Sequence, residues 1–408
     1  MNREVIIFLQ TLVIVIVFSN QINAQNLSTV DKPIEIRIDP FSAKLDEPAS
    51  DYFSSVKYLP LQTTKESAFE EISQMEVTSK HYIIWDEISN CILFFNKSGR
   101  FVYKITNKDK SNDKPFKKIG GFAVNESKNE LVFDDVHSRY MYIYTLQGKF
   151  IKVSEKPKYN GSSFSSLGNI YVYFENYHAE ETREINKTPY NLILEKDNKE
   201  LAFFLPYDTT ALNYTDLYSV DQAFYNSQHG FLNFSHTYDY NIYTIDSSAH
   251  VNNSYRFVLP AINTVPDDFL TNAKYKNNRM EYTKSNDMVI YSITDFYRIK
   301  DEVVFRLFGH ATNEIYTYNL STNDLRSLSN AKPDNLTNML PFAQQRIYAL
   351  DKNGDVISAL PAAVLFDRKD KLSLNKSWKN SLPEGLKTFF QSDNQQNPVL
   401  TIISLKQK

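Results

Sequence analysis

Short runs of aliphatic and aromatic residues, separated by polar turns, recur along most of the chain. The run ILFFNKSGRFVYKI at 92–105 has a near-copy, MYIYTLQGKFIKV, at 141–153. β-Branched and aromatic residues suit a pleated, half-buried surface, and the Gly after each polar turn supplies the positive φ that a tight turn needs. Each copy is therefore predicted to be a β-hairpin.

The two hairpins also set a period for the chain. Gly99 and Gly148 are 49 residues apart, and a fixed period of about 20 to 50 residues indicates a supersecondary unit that stacks on its neighbours. Two further apolar runs precede each hairpin, so each unit has four short strands. Three more copies of the hairpin follow, at 190–204, 240–257 and 314–328. The repeat predicts an all-β fold, a β-propeller of four-stranded antiparallel blades.

The two ends of the chain are predicted to share the sixth blade. After residue 335 the strand-like segments are 336–342, 346–350 and 398–405, which leaves the blade one strand short. The segment 56–62 (VKYLPLQ) stands unused before the first blade. Its pairing with the C-terminal strand would close the ring and remove exposed sheet edges.

These assignments divide the chain after residue 24 into two parts, and the boundary between them is the start of the unused strand at residue 56. Residues 56–408 form the six-bladed propeller and residues 25–55 are a polar lead-in. Within the lead-in, the alternating run IEIRI at 34–38 predicts an extra edge strand.

Helical additions to the ring are predicted in two places. An insertion at 262–287, before blade five, is expected to form a helix followed by a loop, with Asp267 and Asp268 at the helix N-terminus. Residues 381–384 have the pattern of a capping box before an apolar face at 386–390. We expect both helices to decorate the ring; the alternative is a lid over its mouth.

Several of these segments resemble a known family. They are the Gly-Arg/Lys-Phe hairpins at 99–101 and 148–150, the opening VKYLPLQTT, and the closing Asn-Pro-Val-Leu at 397–400. Together they resemble the six-bladed β-propeller proteins exported by Bacteroides-type bacteria, distant relatives of the NHL-repeat propellers. The resemblance covers 56–405 and implies the propeller fold and export. The family has no common catalytic motif, so the resemblance implies no catalytic residue.

The N-terminus has the pattern of a secretory signal peptide over residues 1–24. Arg3 precedes an apolar core at 5–18, and the small residue Ala24 precedes Gln25. The alternative is a retained membrane anchor, but the apolar core is shorter than the roughly 20 residues that a spanning helix needs. We therefore expect a protein of the periplasm or cell surface, with no stable membrane span after cleavage.

Composition excludes several function classes. The 45 basic and 48 acidic residues give a net charge of -3, and the strands show no basic stripe, so nucleic acid is not expected as a partner. The single Cys excludes an intramolecular disulfide. The seven histidines show no metal-ligand spacing, so neither a metal nor a cofactor is expected. A metal site assembled from distant loops around the axis is the alternative.

Pairs of carboxylates follow corresponding strands of the first two blades. Asp86 and Glu87 follow YIIW, and Asp134 and Asp135 follow ELVF. One interpretation is a cluster near one mouth of the ring that binds a cation or sugar hydroxyls. The other is turn chemistry, because Asp side chains accept hydrogen bonds from nearby backbone amides. We favour the turn role and keep these four residues as candidate ligand-binding residues.

Aromatic residues crowd the second strand of blade three. Tyr171, Tyr173 and Tyr177 precede an acidic loop at 179–184. Exposed tyrosines beside carboxylates could bind the apolar faces of sugar rings. Alternation along a strand places half of its residues in the core, so packing against neighbouring blades is the alternative and the one we favour.

Two function classes remain open. The first is an exported, non-catalytic binding or scaffold protein that recognises a glycan, peptide or protein partner. The second is a carbohydrate hydrolase or lyase with carboxylates at the propeller mouth. Three or more acidic, His or Arg side chains converging in one axial pocket would favour the enzyme, whereas an aliphatic plug would favour the binding protein.

Overall fold

The computed structural model describes residues 32–108, 114–157, 163–178, 189–212, 214–219, 222–227, 230–343, 346–372 and 376–406. In these residues, five sheets of four strands and one of five form the six blades of a propeller, which confirms the predicted fold. The predicted signal peptide, residues 1–24, lies outside the described residues.

The lead-in contributes one strand to a blade that comes much later in the chain. It contains β1 (Ile34–Arg37) and a short helix, α1 (Ala49–Tyr52). β1 pairs in parallel with the outer strand of blade four, with Ile36 opposite Phe257. The predicted edge strand is confirmed.

Blades one to three follow the predicted order without interruption. Each is an antiparallel sheet whose strands pair in chain order. Blade one contains β3 (Gln74–Val77), β4 (His81–Asp86), β5 (Cys91–Asn96) and β6 (Phe101–Thr106). Blade two contains β7 (Ile119–Asn125), β8 (Glu130–Asp135), β9 (Tyr140–Thr145) and β10 (Phe150–Glu155). Blade three contains β11 (Ser163–Leu167), β12 (Ile170–Phe174), β13 (Tyr190–Lys196) and β14 (Lys199–Pro206).

Blades four and five are separated by the insertion. Blade four contains β15 (Phe224–Asn226), β16 (Leu232–Phe234), β17 (Asn241–Ile245) and β18 (Val251–Val258). Blade five contains β19 (Ile290–Ile299), β20 (Glu302–Gly309), β21 (Asn313–Asn319) and β22 (Leu325–Ser327). All five predicted hairpins are therefore confirmed.

The repeated glycines of the first two hairpins are required by geometry. Gly99 and Gly148 both have φ of 77°. A Cβ at Gly99 would lie 2.5 Å from the carbonyl oxygen of Pro60, and one at Gly148 would lie 2.3 Å from the Tyr103 ring. Both glycines thus allow a tight turn, and they allow the outer strand of the preceding blade to come close to it. A residue with a Cβ would be strained in this conformation and would collide with that strand.

Blade six closes the ring with strands from both ends of the chain. It contains β2 (Phe53–Pro60), β23 (Ala349–Leu350), β24 (Val356–Leu360) and β25 (Val399–Leu405), in the order β2-β25-β24-β23. β2 runs antiparallel to β25, with Val56 opposite Ile403. The predicted closure is confirmed. Asn397, just before β25, supports it by donating to the carbonyls of Gln62 and Ser67 at 2.9 Å each.

The predicted strand at 336–342 is wrong, and β24 was not predicted. Residues Asn335–Thr337 form a 3-10 helix instead. Asp334 accepts a hydrogen bond from the Leu336 amide at 2.9 Å, and Asn338 takes the left-handed conformation at φ 53°. These local hydrogen bonds compete with a strand although the segment is apolar.

The helices also differ from the prediction. In the insertion the α-helix is α2 (Arg279–Ser285), so loop and helix occur in the opposite order. Near the C-terminus α3 (Ala362–Leu372) and α4 (Lys376–Ser381) were not predicted and precede α5 (Glu384–Phe389). Pro383 is the N-cap of α5 and makes no side-chain capping bond, so the predicted capping box is wrong. The predicted apolar face is confirmed, since Leu386, Phe389 and Phe390 are buried.

The core lies between neighbouring blades. One cluster joins blades one and two through Phe94, Phe122 and Phe133, and another joins blades three and four through Phe174 and Phe234. Each blade therefore buries its faces only by stacking on the next, as the repeat predicted.

Candidate functional site

The strands nearest the propeller axis are β3, β7, β11, β15, β19 and β23, one from each blade. β3 contacts β7 and β23, β7 contacts β11, and β15 contacts β19 and β23. Side chains from distant parts of the sequence therefore meet along the axis.

Two cavities lie on this axis, one toward each mouth. The first has a volume of about 260 Å³, is lined by residues of all six blades, and includes Glu126, Asp351 and Lys352 at its rim. We call it the charged cavity. The second has a volume of about 240 Å³ and is lined by Trp85 and four phenylalanines. We call it the aromatic cavity.

Glu76 and Gln222 line both cavities and so lie between them. Glu76, on β3, accepts a hydrogen bond from the Asn226 amide at 2.8 Å. Burial raises the pKa of Glu76 to about 7, and the hydrogen bond from Asn226 only partly opposes this. Among the described residues, no basic side chain forms an ion pair with it. A carboxyl with this pKa carries a negative charge in only part of the molecules at neutral pH.

Tyr297, on β19, lines the charged cavity and is 1% exposed. Its hydroxyl has no hydrogen-bond partner within the described part of the chain. Burial, followed by the charge of Asp295, raises the pKa of Tyr297 well above its usual value. The hydroxyl therefore stays protonated, and it can both donate and accept.

A buried ion cluster holds Gln222 in place. Asp295 is fully buried and lies 3.5 Å from Arg306 Nε and 3.6 Å from Arg346 Nη2. Arg346 Nη2 also donates to Gln222 Oε1 at 3.3 Å. The ladder between β19 and β20 is irregular at Asp295, which has φ of 51°; this bulge brings its carboxylate into the cluster. Asp295 thus lies between two guanidinium groups, and the cluster links blades four, five and six.

At the rim of the charged cavity, the Glu126 carboxylate has both hydrogen-bond donors and a basic partner. Glu126 accepts hydrogen bonds from the amide and the hydroxyl of Ser79, and lies 3.2 Å from Lys352 Nζ. Burial would raise the pKa of Glu126, but Ser79 and Lys352 lower it. This carboxylate therefore joins blades one, two and six.

The aromatic cavity combines ring faces with polar atoms that lack partners. Trp85 Nε1 and Ser163 Oγ are buried and have no hydrogen-bond partner among the residues described. Gln74 is held on the next blade, because it donates to the Phe122 carbonyl at 2.7 Å and accepts from its amide at 3.0 Å. The rings that line the cavity belong to Trp85, Phe122, Phe164, Phe174 and Phe224.

Asp86, the first of the predicted carboxylates, completes the turn after its strand. It is fully buried and accepts hydrogen bonds from the amides of Glu70, Ile88 and Ser89 at 2.9 to 3.3 Å. Glu87 is exposed and pairs with Lys118 at 2.7 Å.

Asp135 has the same role after β8 that Asp86 has after β4. It accepts from the amides of Lys117, Lys118 and His137 at 3.0 to 3.1 Å. Burial would raise the pKa of Asp135, but these amides lower it. Asp134 pairs with Lys156 at 2.9 Å, although burial raises its pKa. Asp86 thus corresponds to Asp135 and not, as the sequence pattern predicted, to Asp134. None of the four carboxylates lines the charged or the aromatic cavity.

The three predicted tyrosines pack within and between blades. Tyr171 is half-buried against blade two, and Tyr173 is buried and stacks on Phe164 at 5.9 Å. Burial raises the pKa of Tyr171 to about 12. Tyr177 is buried near the insertion, and its hydroxyl lies 3.1 Å from His236 Nδ1. The structure does not bring these rings together with the predicted carboxylates.

Sequence analysis missed Glu76, Tyr297 and Trp85. Each comes from a different strand, and no local motif marks any of them. The one usable signal was the presence of a carboxylate, Glu76, within an apolar strand. Whether this side chain points toward the axis depends on the register of the strand, which the sequence does not show.

The described part of the chain has neither a cluster of metal ligands nor a membrane-spanning helix. It contains no group of three or more His, Cys, Asp or Glu side chains that could hold a metal ion. None of its helices has the length and apolar composition needed to cross a membrane.

Comparison with known proteins supports the fold. A family described as a domain of unknown function (DUF4934) matches residues 36–404. The structure is similar to a protein from Bacteroides fragilis that is named as an exported protein, with 14% identity, a TM-score of 0.70, and coverage of 91% of this chain and 100% of that one.

Two other solved structures are more distant. A member of the DUF4221 family from Bacteroides vulgatus has 10% identity and a TM-score of 0.46, with coverage of 87% of this chain and 99% of that one. Virginiamycin B lyase from Staphylococcus aureus has 13% identity and a TM-score of 0.39, with coverage of 74% and 80%. No curated protein matches the sequence. The resemblance is confirmed at the level of the six-bladed propeller fold by the Bacteroides fragilis structure, and the chain belongs to the DUF4934 family.

Proposed function

We propose that the protein is an exported, non-catalytic binding protein that recognises a glycan, and that one sugar unit enters the aromatic cavity. The observation that carries this proposal is the combination of Trp85 and four phenylalanine rings with two buried, unpartnered polar groups in one cavity.

The chemistry of a sugar matches this lining. A pyranose ring has apolar C–H faces that pack on aromatic rings, and its hydroxyls need hydrogen-bond partners. Trp85 Nε1 can donate to a hydroxyl, and Ser163 Oγ can donate or accept. Leaving such groups unsatisfied costs free energy, which a bound sugar would recover.

The polar lining favours a neutral ligand and binding over hydrolysis. Apart from Glu76 and Trp85, the polar side chains that line the aromatic cavity within the described residues are Ser, Asn and Gln, which carry no charge. Glycoside hydrolysis by the usual mechanism needs two carboxyl groups, about 5 to 9.5 Å apart. In the described lining of the aromatic cavity Glu76 is the single carboxyl. The charged cavity has three acidic side chains, Glu76, Glu126 and Asp351, which meets the criterion set above for an enzyme. Glu126 is paired with Lys352, however, and Asp351 accepts hydrogen bonds from the amides of its own turn, so we rank the carbohydrate hydrolase second.

Export is part of the proposal. It rests on the signal-peptide pattern of residues 1–24 and on the similar Bacteroides fragilis protein that is named as exported. An exported protein would meet its glycan in the periplasm or at the cell surface.

Tryptophan fluorescence tests the glycan proposal at the site itself. The chain has two tryptophans, Trp85 and Trp378, and Trp378 is buried among the C-terminal helices. A Trp378→Phe variant therefore reports only on the aromatic cavity. We expect a saturable change in its emission with at least one member of a panel of neutral disaccharides, such as cellobiose, maltose, mannobiose and N,N′-diacetylchitobiose.

Calorimetry with the same sugar supplies the matched comparison. Trp85→Ala should weaken binding at least tenfold, because one stacked base or ring on an aromatic side chain contributes on the order of 1 to 3 kcal/mol. Phe41→Ala, which removes a ring that is 66% exposed and outside both cavities, should leave the affinity unchanged. Equal binding by Trp85→Ala, or no binding of any sugar by the wild type, would contradict the proposal.

A further inference from the structure

The charged cavity contains hydrogen-bonding capacity that the protein itself does not use. Glu76 accepts one hydrogen bond, from Asn226, and has no basic partner in the described residues. The Tyr297 hydroxyl is buried and unpartnered in the same part of the chain. Both side chains line this cavity, and the charge of Glu76 is among the causes that raise the pKa of Tyr297, after burial and the charge of Asp295.

The other charged side chains that line or border this cavity already have partners. Glu126 is paired with Lys352, and Arg346 is paired with Asp295. Asp351 accepts hydrogen bonds from the amides of Asn353 and Asp355 at 2.8 and 2.9 Å, which close the following turn. Glu76 is thus the carboxyl of the cavity whose negative charge lacks a counterpart within the described residues.

The uncompensated charge is matched by an organic cation. A metal ion would require several converging ligands, and the described residues contain no such group. The rings of Tyr297, Tyr348 and Phe231 line the same cavity, and aromatic faces attract ammonium groups. An ammonium group has three N–H donors, which suits the Glu76 carboxylate and the Tyr297 oxygen.

We propose that the charged cavity is a second binding site, which takes the ammonium group of a primary alkylamine between Glu76 and Tyr297. This site lies at the opposite mouth from the aromatic cavity and does not depend on the proposed glycan. The rim residues Glu126 and Lys352 stay paired, and the alkyl chain of the ligand extends past them toward solvent.

Two ligands of the same length test the charge. Isothermal titration calorimetry of the purified protein at pH 8 would compare 1,4-diaminobutane with 1,4-butanediol. We expect one diamine to bind per chain, at least tenfold tighter than the diol. Equal affinities, or no binding of the diamine, would overturn the proposal.

Variants test the residues. Glu76→Gln keeps the shape of the side chain and its contact with Asn226, and it should weaken diamine binding at least tenfold. Tyr297→Phe should weaken it severalfold. Glu200→Gln removes a carboxylate that is exposed on the outer strand of blade three and should change nothing. Unchanged binding by Glu76→Gln would exclude the assigned site.

The two proposed sites can fail separately. Trp85→Ala removes a ring of the aromatic cavity and should still bind the diamine with wild-type affinity. Loss of diamine binding in this variant, with its far-UV circular dichroism unchanged, would show that the amine lies in the aromatic cavity and would overturn the assignment to the charged one.

Discussion

Two polar centres of the propeller, around Arg279 and around Glu76, are built in opposite ways. Arg279, at the start of α2, is completely buried, and its guanidinium donates to the carbonyls of Phe269 and Ala211 at 2.9 and 3.0 Å. Asp216 lies 3.3 Å from its Nη1 and also accepts from its backbone amide at 2.8 Å. Glu76, on the axis, accepts one hydrogen bond and has no basic partner among the described residues.

The difference separates a structural role from a ligand-binding one. The contacts of Arg279 attach the insertion to the segment between β14 and β15, and they leave little for a ligand to add. A buried charge is tolerated when such partners surround it. Glu76 lacks them, and burial therefore raises its pKa to about 7. A bound ligand can supply the hydrogen-bond partners that a polar group in a cavity lacks.

Removing the satisfied centre should have the largest effect. Arg279→Met leaves the buried carboxylate of Asp216 without its counter-charge and two carbonyls without donors, so we expect a loss of about 3 to 5 kcal/mol in the free energy of unfolding. Urea unfolding would measure it. Arg256→Met, at an exposed position of β18, is the matched control and should change stability by less than about 0.5 kcal/mol. A loss below about 1 kcal/mol for Arg279→Met would mean that the insertion is held by apolar packing alone.

Removing the charge of Glu76 should have the opposite sign and a smaller size. The pKa of Glu76 is about 7 in the folded protein against an ordinary 4.5, so the folded state binds the proton more tightly than the unfolded chain. Its contribution to stability is fully present below pH 4.5 and is lost as the pH rises through 7. Glu76→Gln, which cannot ionise, should therefore match the wild type near pH 4.

At pH 8 the same variant should be more stable than the wild type by about 2 kcal/mol, since one pKa unit corresponds to about 1.4 kcal/mol and solvent in the cavity reduces the full shift. Urea unfolding at the two pH values measures the difference. A variant less stable than the wild type at pH 8 would place Glu76 with Arg279, among the satisfied structural groups.

The fold could be predicted because its signals are local. The apolar runs and the turn glycines, Gly99 and Gly148, lie within single hairpins. Because the pattern repeats, each predicted blade also supports the prediction of the next one. Prediction failed where apolar residues carry no period. Residues 336–342 pack their side chains without forming a strand. The helices at 362–381 follow β24 directly after Pro361, a boundary signal that the prediction did not use.

The axial centres could not be predicted, because their residues meet only through the closed ring. Glu76, Gln222 and Tyr297 come from blades one, four and five. Finding them requires the register of each strand, and a shift of one residue moves a side chain to the other face of a sheet. The correspondence between Asp86 and Asp135, one residue from the predicted match, shows that this precision was not reached.

The smallest expected change in stability is that of Tyr297→Phe, in the charged cavity. Tyr297→Phe removes a hydroxyl that has no partner within the described residues, so stability should change by less than about 0.5 kcal/mol. Tyr58→Phe is the matched control. The Tyr58 hydroxyl lies 3.0 to 3.2 Å from the carbonyl oxygens of Thr337, Leu340 and Pro341 and donates its one proton among them. The loss of this hydroxyl should cost about 1 to 2 kcal/mol. Urea unfolding of the two variants without ligand makes the comparison. An equal cost for both would mean that Tyr297 is already satisfied within the protein, and the charged cavity would then lack one of the two groups assigned to the ammonium ligand.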